Sequence, residues 1–265
     1  MAEIITSLAS PHIKEVNKLL EKAKNRRETQ TFVMEGVRAV SEVPRQLIKK
    51  LYYTEKCEKA ACEIEKDKAF AGQSFQVADN VMNAMSDTKT PQGLMAVVGF
   101  PFTDTDESTL FSNEGIYLFL ENLQDPGNLG TIIRTAQGAG VEAVIMSGDC
   151  VDIYSPKVVR ATMSSLFKVM HVVSTDFAAS LKNAKAEGVK VYAAALGGKK
   201  DFWDIDYKKD GAVGFAIGNE GNGLTEQTVT LCDEALIIPM ANGLESLNAA
   251  MAAGLLMYEA AGKRR

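Results

Sequence analysis

Four predicted strands in the C-terminal part of this 265-residue chain are each followed by a loop rich in glycine and in polar or charged side chains. Ligands of open parallel sheets bind beyond the carboxyl ends of the strands, which is where these loops lie. Glycine permits a positive φ and a close approach of the backbone to a ligand. The loops therefore predict one site that binds a small molecule largely through backbone groups. They cover residues 121–134, 196–198, 218–224 and 241–248.

Several side chains in these loops have both a structural and a chemical interpretation. Structurally, Asn128 suits a helix cap, Arg134 a surface ion pair and Glu220 an exposed turn. Ser246 likewise suits the N-cap of the last helix, because its hydroxyl can accept from free N–H groups of the first turn. Asn248, placed within that first turn, is harder to explain structurally, because asparagine is a poor residue for a helix interior.

Other kinds of site are disfavoured by the sequence. The glycine spacing of residues 218–224 is the reverse of the dinucleotide-binding order, and no phosphate-binding P-loop motif occurs. The four cysteines form no CxxC pair, which argues against a zinc or redox motif and favours a reducing, cytoplasmic setting. Only two histidines occur, and His171 is interpreted as a satisfied core or sheet-edge residue. We expect no metal, no secretory signal and no membrane-spanning segment.

The elements that must position these loops alternate between strands and helices. Residues 1–100 predict a small α/β unit, residues 101–114 a linker of turn-forming and acidic residues, and residues 115–265 a second α/β domain. The strands of that domain are apolar along their length and separated by helices, which predicts a mostly parallel sheet covered on both faces. Its strands are expected at residues 116–120, 143–146, 169–173, 189–195, 213–217 and 235–238.

Charge is distributed unevenly along the chain. Residues 1–50 carry ten Lys and Arg against six acidic residues, whereas the remainder carries 19 against 28. A basic N-terminal part is compatible with a nucleic-acid partner, and a solvated helix face with i,i+4 pairs is the alternative interpretation. Charge alone does not separate the two.

Three segments together resemble the motifs of the SpoU/TrmH branch of the SPOUT methyltransferases, which methylate the ribose 2′-oxygen of RNA. The first runs from Asn128 through Arg134, the second covers residues 217–224, and the third joins residues 238–240 to Ser246–Leu247–Asn248. Their order and spacing match over residues 116–260. The N-terminal unit resembles the family's substrate-binding domain, of ribosomal-protein-L30e-like shape, at residues 32–36 and 88–93.

This resemblance implies a fold, a cofactor and an assembly. The expected fold is an α/β domain whose mostly parallel sheet ends in a C-terminal trefoil knot, preceded by the small L30e-like domain. The expected assembly is a homodimer. S-adenosylmethionine is expected to be held near Leu196, Gly197, Gly218, Ile238 and Leu247. One departure is that the family commonly has Val-Ser-Val after Asn248, whereas this chain has three residues without a polar side chain there.

The resemblance also assigns catalytic roles. Arg134 is implied to activate the 2′-hydroxyl, and Asn128, Glu220, Ser246 and Asn248 are expected to orient it and the ribose. Because a guanidinium remains protonated, we hypothesise that Arg134 bridges the hydroxyl and a neighbouring phosphate and stabilises developing alkoxide. Alignment of the reacting atoms is worth ~7–11 kcal/mol and general-base help only a factor of ~10²–10⁴, so orientation is the larger requirement.

The RNA substrate follows less directly. Large-subunit (23S) ribosomal RNA is the first candidate and transfer RNA the second, because the N-terminal unit resembles that of ribosomal-RNA enzymes. Two other possibilities are a non-catalytic RNA-binding module and methylation of a base. The basic residues expected to contact RNA phosphates are Lys14, Lys18, Arg26, Arg27 and Arg38.

Overall fold

The computed structural model describes residues 4–103 and 105–264, with only the backbone of Ser108; Asp104, in the predicted linker, lies outside the described residues. The described residues form two compact units. Unit 1 contains the chain up to Pro101 together with Asp152–Phe167. Unit 2 contains Phe102–Val151 and the chain from Lys168 onward. No helix of the described residues is long and apolar enough to cross a membrane.

The elements alternate along the chain as the sequence predicts. The helices are α1 (Pro11–Glu21), α2 (Ala23–Thr29), α3 (Val37–Ser41), α4 (Glu58–Glu65), α5 (Asp79–Met85), α6 (Pro126–Ala139), α7 (Pro156–Thr162), α8 (Phe177–Ala186), α9 (Glu226–Leu231) and α10 (Ala249–Arg264). The strands are β1 (Thr31–Glu35), β2 (Ile48–Tyr53), β3 (Gln73–Gln76), β4 (Leu94–Gly99), β5 (Ile116–Leu120), β6 (Ala143–Met146), β7 (Met170–Val173), β8 (Lys190–Ala194), β9 (Lys200–Asp201), β10 (Val213–Ile217) and β11 (Glu234–Ile237).

Unit 1 is built on a four-stranded mixed sheet in the order β1-β4-β2-β3. Strand β4 runs antiparallel to both β1 and β2, and its six residues are all buried. Helix α1 begins after Ser10, whose hydroxyl accepts from the N–H of His12, and Pro11 takes the first helical position. The apolar side of α1 packs with α5 and the sheet, through Ile13, Val16 and Leu19.

Unit 2 is built on a seven-stranded sheet in the order β7-β6-β5-β10-β8-β11-β9, and every pairing in it is parallel. Strands β5, β6 and β10 are buried along their whole length, as expected when helices cover both faces. The prediction of an α/β fold with a mostly parallel sheet is confirmed. His171 lies buried in the edge strand β7, where burial lowers its pKa to about 4 and its Nδ1 bonds the carbonyl of Val169.

Two helices begin at different residues from those the sequence suggested. Helix α6 begins at Pro126, and the Asp125 carboxylate caps it by accepting from the N–H of Asn128, so Asn128 is not the cap. Helix α10 begins at Ala249, and the side chain of Asn248 accepts from the N–H groups of Ala250 and Met251. Asn248, rather than Ser246, therefore caps α10, which removes the objection to asparagine at this position.

Arg26 is buried, so its prediction as an RNA contact is wrong. Only 4% of Arg26 is exposed, and its guanidinium donates to Asp152 Oδ2 at 2.7 and 2.8 Å. It also donates to the carbonyls of Leu19 and Leu20. Its position in a basic stretch of sequence could not reveal this, because the acid that it meets lies 126 residues further along the chain. Arg26 therefore holds the segment Asp152–Phe167 within unit 1.

We predict that Arg26→Ala destabilises the protein by about 3 kcal/mol, because it leaves a poorly accessible carboxylate and two carbonyls without their donor. Equilibrium urea unfolding measures the change. Arg27→Ala is the matched control, since the neighbouring Arg27 is exposed. Equal unfolding midpoints for the two variants would contradict a structural role for Arg26.

Candidate functional site

A cavity of about 400 Å³ lies in unit 2 at the carboxyl ends of β8, β10 and β11, which are neighbours in the sheet. Its walls come from three predicted loops, those that follow β8, β10 and β11, and its remaining wall is the start of α10. A volume of this size falls within the range of about 300–1,000 Å³ that is usual for small-ligand sites. Loops from separate parts of the chain thus converge on one pocket.

Four of the five residues predicted to bind a cofactor line this cavity, namely Leu196, Gly218, Ile238 and Leu247. Gly197 is next to Leu196 but is not part of the lining, and a Cβ on it would meet open space. Its neighbour Gly198 is the sterically restricted position, because a Cβ there would lie 2.5 Å from the carbonyl carbon of Leu236. The role of these residues in binding a cofactor stays a prediction.

Three predicted catalytic residues form a hydrogen-bonded chain. Asn248 Nδ2 donates to Asn128 Oδ1 at 2.8 Å, and Asn128 Nδ2 donates to Glu220 Oε1 at 2.9 Å. The three residues come from α6, the loop after β10 and the cap of α10. Because each amide donates to the next acceptor, the chain sets the orientation of both asparagines and links all three motifs.

Glu220 accepts two further hydrogen bonds, from the backbone N–H groups of Gln124 and Asp125 at 3.2 and 3.1 Å. Partial burial acts to raise the pKa of Glu220, but the bonds from Asn128 and from the backbone lower it below its usual value. The carboxylate is therefore an ionised acceptor that holds the first loop against the third. It is poorly suited to act as a base.

This lowered pKa predicts how stability depends on pH. A carboxylate whose pKa is lower in the folded state stabilises the fold above its unfolded pKa, and the contribution is lost as the pH falls through the folded value. We therefore expect Glu220→Gln to lower the melting temperature at neutral pH, and the difference from wild type to shrink on acidification. Glu245→Gln is the control, because Glu245 is exposed and has no side-chain partner among the described residues. A difference that persists at low pH would argue against the ionised network.

The loop between β10 and α9 is fixed at both of its ends by the residues that follow β5. Asn219 Nδ2 donates to the carbonyl of Asn122 at 2.9 Å. The carboxylate of Glu121 accepts from the N–H and hydroxyl of Thr225, both at 2.8 Å, and from the hydroxyl of Thr228 at 2.6 Å. Glu121 and Asn122 lie in the predicted loop 121–134 but are not among the predicted site residues, although an acid directly after a buried strand is a usable signal.

Arg134 and Ser246 take no part in the hydrogen-bonded chain of Asn248, Asn128 and Glu220. Arg134 is exposed on α6, does not line the cavity, and has no hydrogen-bond or ion-pair partner within the part of the chain that the structure describes. Ser246 is exposed and lines the cavity. An exposed guanidinium on the helix that also carries Asn128 is available to bind an anionic group of a substrate.

Position 250, where the family commonly has a polar side chain, does not line the cavity. Ala249 lines the cavity, whereas Ala250 lines a separate groove between α6 and α10. The missing polar side chain at position 250 therefore removes no group from the cavity wall.

The remaining candidate RNA contacts are accessible. Lys14, Lys18, Arg27 and Arg38 are all exposed in unit 1. The described residues contain no cluster of three or more His, Cys, Asp or Glu side chains that could hold a metal ion.

The parallel sheet, the cavity at the carboxyl ends of its strands and the polar network beside that cavity form the setting of a small-molecule site. The sequence model described as the SpoU rRNA Methylase family matches residues 115–258. A second model, described as an MRM3-like substrate binding domain, matches residues 10–96. The chain therefore belongs to the SpoU rRNA methylase family.

Relatives of this family match the chain over nearly its full length. The 23S rRNA (guanosine(2553)-2′-O)-methyltransferase RlmP of Bacillus subtilis is 32% identical over 97% of this chain and 99% of its own. The AdoMet-bound rRNA methyltransferase from Sinorhizobium meliloti has a TM-score of 0.84 at 32% identity, covering 98% of this chain and 97% of that one. The SpoU methyltransferase AviRb from Streptomyces viridochromogenes, in complex with AdoMet, has a TM-score of 0.81 at 29% identity, covering 96% and 99%.

Proposed function

We propose that this protein methylates a ribose 2′-oxygen in large-subunit (23S) ribosomal RNA, using S-adenosylmethionine. The observation that carries the proposal is the convergence of loops from distant parts of the chain on one cavity beside the Asn248–Asn128–Glu220 chain. The cytoplasmic location expected from the sequence belongs to the same proposal.

The cavity suits S-adenosylmethionine because its lining is mostly apolar, with a few polar groups from Asn219, Glu220 and Asn248. The two ends of the loop after β10 approach closely at Gly218, because a Cβ on Gly218 would lie 2.1 Å from the carbonyl carbon of Gly223. Leu196, Ile238 and Leu247 supply apolar surface and backbone groups around the same space. When bound, S-adenosylmethionine supplies an electrophilic methyl group. The residues of the chain must then align the ribose oxygen with it.

We assign that alignment to Arg134 and the polar network. Because its guanidinium stays protonated, Arg134 acts by charge and by its paired N–H donors, contacting the 2′-oxygen and an adjacent phosphate. The developing negative charge on the oxygen is stabilised there, and the proton leaves to the phosphate or to water. Asn128, Glu220 and Asn248 hold together the loops around the ribose, and Ser246, exposed at the cavity, helps to orient the ribose.

The homodimer expected from the resemblance is supported by an exposed apolar stripe on α10. Met251, Leu255 and Tyr258 fall on one side of the helix, with exposed fractions of 59%, 39% and 54%. Exposed apolar side chains in this arrangement are typical of association surfaces. We propose that a second copy of the chain covers the stripe, and sedimentation velocity of the full-length protein measures whether it does.

The finer details of the fold belong to the same proposal. Strand β11 pairs with β8 on the side away from β10, yet α10 returns to pack against β10, β5 and α6. This return path supports a trefoil knot in the C-terminal part of unit 2. The mixed sheet of unit 1 supports an L30e-like domain over residues 1–100, with residues 101–114 as linker and residues 115–265 as the methyltransferase domain. The grouping of Asp152–Phe167 with unit 1 differs from that simple division.

The experiment that tests the function is incubation of the purified protein with radiolabelled S-adenosylmethionine and 23S ribosomal RNA, with transfer RNA in parallel. Label on 2′-O-methylnucleosides of the ribosomal RNA supports the proposal, and mass spectrometry of the digested RNA identifies the nucleotide. Label confined to transfer RNA would move the substrate to the second candidate, and label on a base would overturn ribose methylation. Binding of RNA without any transfer would favour a non-catalytic module.

A further inference from the structure

An irregular loop of unit 1, residues 86–92, is unusually well held for a segment without regular structure. It precedes β4 at the end of the sheet where β1 and β2 finish, since Glu35 pairs with Met95 and Tyr53 with Leu94. The loop therefore emerges beside the residue that ends β1. We name this loop with its flanking residues the 86–92 surface, comprising residues 86–92, Arg38 and Arg160.

The carboxylate of Glu35 anchors the start of the loop. Its two oxygens accept from the hydroxyl of Ser86, both at 2.8 Å, and Oε1 also accepts from the hydroxyl of Thr88 at 2.8 Å. This carboxylate is therefore occupied by hydroxyl donors, and it forms no ion pair with a basic side chain of the described residues. Its hydrogen bonds order the backbone just before Lys89 and Thr90.

The other end of the loop is anchored as firmly. Gln92 Oε1 accepts from the N–H of Val37 at 3.0 Å, and the carbonyl of Gln92 accepts from the thiol of Cys57 at 3.1 Å. Gly93 has a φ of +86°, and a Cβ there would lie 2.4 Å from Thr54 Oγ1. A loop fixed at both ends presents its middle residues in one arrangement.

Basic side chains surround this fixed loop. Lys89 is exposed and has no hydrogen-bond or ion-pair partner among the residues that the structure describes. Arg38 follows the residue that bonds Gln92, and its side chain is 81% exposed despite an ion pair with Glu42 at 3.4 Å. Arg160 of α7 reaches the loop through Asp87 at 2.8 Å and is 44% exposed. Exposed pairs of this kind exchange readily with other anions.

We propose that the 86–92 surface binds the phosphate backbone of the RNA substrate, with Lys89, Arg38 and Arg160 as its phosphate contacts. The inference rests on the proposed function for its partner. Arg160 comes from Asp152–Phe167, a stretch that lies within the part of the chain matched by the methylase model but groups with unit 1.

The test is binding of a fluorescent 23S ribosomal RNA transcript by Lys89→Ala over a range of salt concentrations. Loss of one phosphate contact should reduce the slope of log affinity against log salt by about 0.7–0.9. The triple variant Arg38→Ala/Lys89→Ala/Arg160→Ala should reduce the slope by about two to three times as much. The control is Lys68→Ala, an exposed lysine of unit 1 in the connection that enters β3 at the opposite end of the sheet.

Because Lys89 has no side-chain partner among the described residues, its replacement leaves the fold intact and the outcome is decisive. A salt slope for Lys89→Ala equal to that of wild type and Lys68→Ala would overturn the inference. Methyl transfer is assayed separately on wild type. Absence of transfer with normal RNA binding would overturn the proposed function, while the comparison of slopes would still decide the inference.

Discussion

Arg134→Ala should abolish methyl transfer to RNA while leaving the affinity for S-adenosylmethionine close to that of wild type. Removal of a donor that stabilises developing negative charge typically lowers turnover by ~10²–10³-fold, and we expect at least that loss. Cofactor affinity should persist because Arg134 does not line the cavity. Single-turnover transfer from labelled S-adenosylmethionine and calorimetric titration of the cofactor measure the two quantities.

Arg134→Lys tests the chemistry of the contact. Lysine keeps the positive charge but loses the planar pair of donors that can span an oxygen and a phosphate. We expect a loss nearly as large as that of the alanine variant. Lys182→Ala, which removes an exposed charge from α8 of the same unit, should transfer at the wild-type rate. Retention of more than about a tenth of turnover by Arg134→Lys would show that charge alone suffices.

Gly218→Ala should disrupt the cavity itself. The added Cβ would lie 2.1 Å from the carbonyl carbon of Gly223 and 2.3 Å from the backbone nitrogen of Leu224. Because both neighbours are backbone atoms, no side-chain rotation relieves the clash, and the paired ends of the loop at Asn219 and Gly223 must separate. Overpacking of this kind costs about 1–3 kcal/mol, so S-adenosylmethionine should bind roughly 5- to 150-fold more weakly if that cost falls on the bound state.

Gly262→Ala provides a control in the same unit. Gly262 does not line the cavity, and a Cβ there would meet open space. The variant should therefore bind S-adenosylmethionine as wild type does. Far-ultraviolet circular dichroism confirms that both variants fold. Equal affinities for the two would mean that the close approach at Gly218 is not what shapes the cavity.

The strands of unit 2 were predictable because of a local pattern. A strand buried on both faces needs an unbroken apolar run, and β5, β6 and β10 have one. Given parallel strands, their carboxyl ends must share an edge, so the convergence of the loops was also predictable. Which strands lie next to each other in the sheet was not predictable, because strand order depends on pairings between residues far apart in sequence. That β8 lies between β10 and β11 is a property of the folded chain.

Residue type alone did not decide where α6 and α10 begin. Asp125 before Pro126 is a cap signal of the same form as Ser10 before Pro11, but Asn128 is also a favoured cap residue. At the last helix, Ser246 and Asn248 are both good caps by residue type. Only the path of the backbone decides which side chain faces the free N–H groups.

The amino-acid sequence alone determined the α/β class, because that depends on local periodicity, whereas the three motifs and the residues proposed for methyl transfer followed from the resemblance to the family. Only the tertiary structure decided which of those residues are available. The local sequence predicts that Arg26 is exposed, whereas in the folded chain it is buried and bonded to Asp152. Arg160 belongs to unit 1 because it lies in the segment Asp152–Phe167, which groups with that unit. Burial and hydrogen-bond partners are set by contacts between distant segments, and a linear sequence does not specify those contacts one residue at a time.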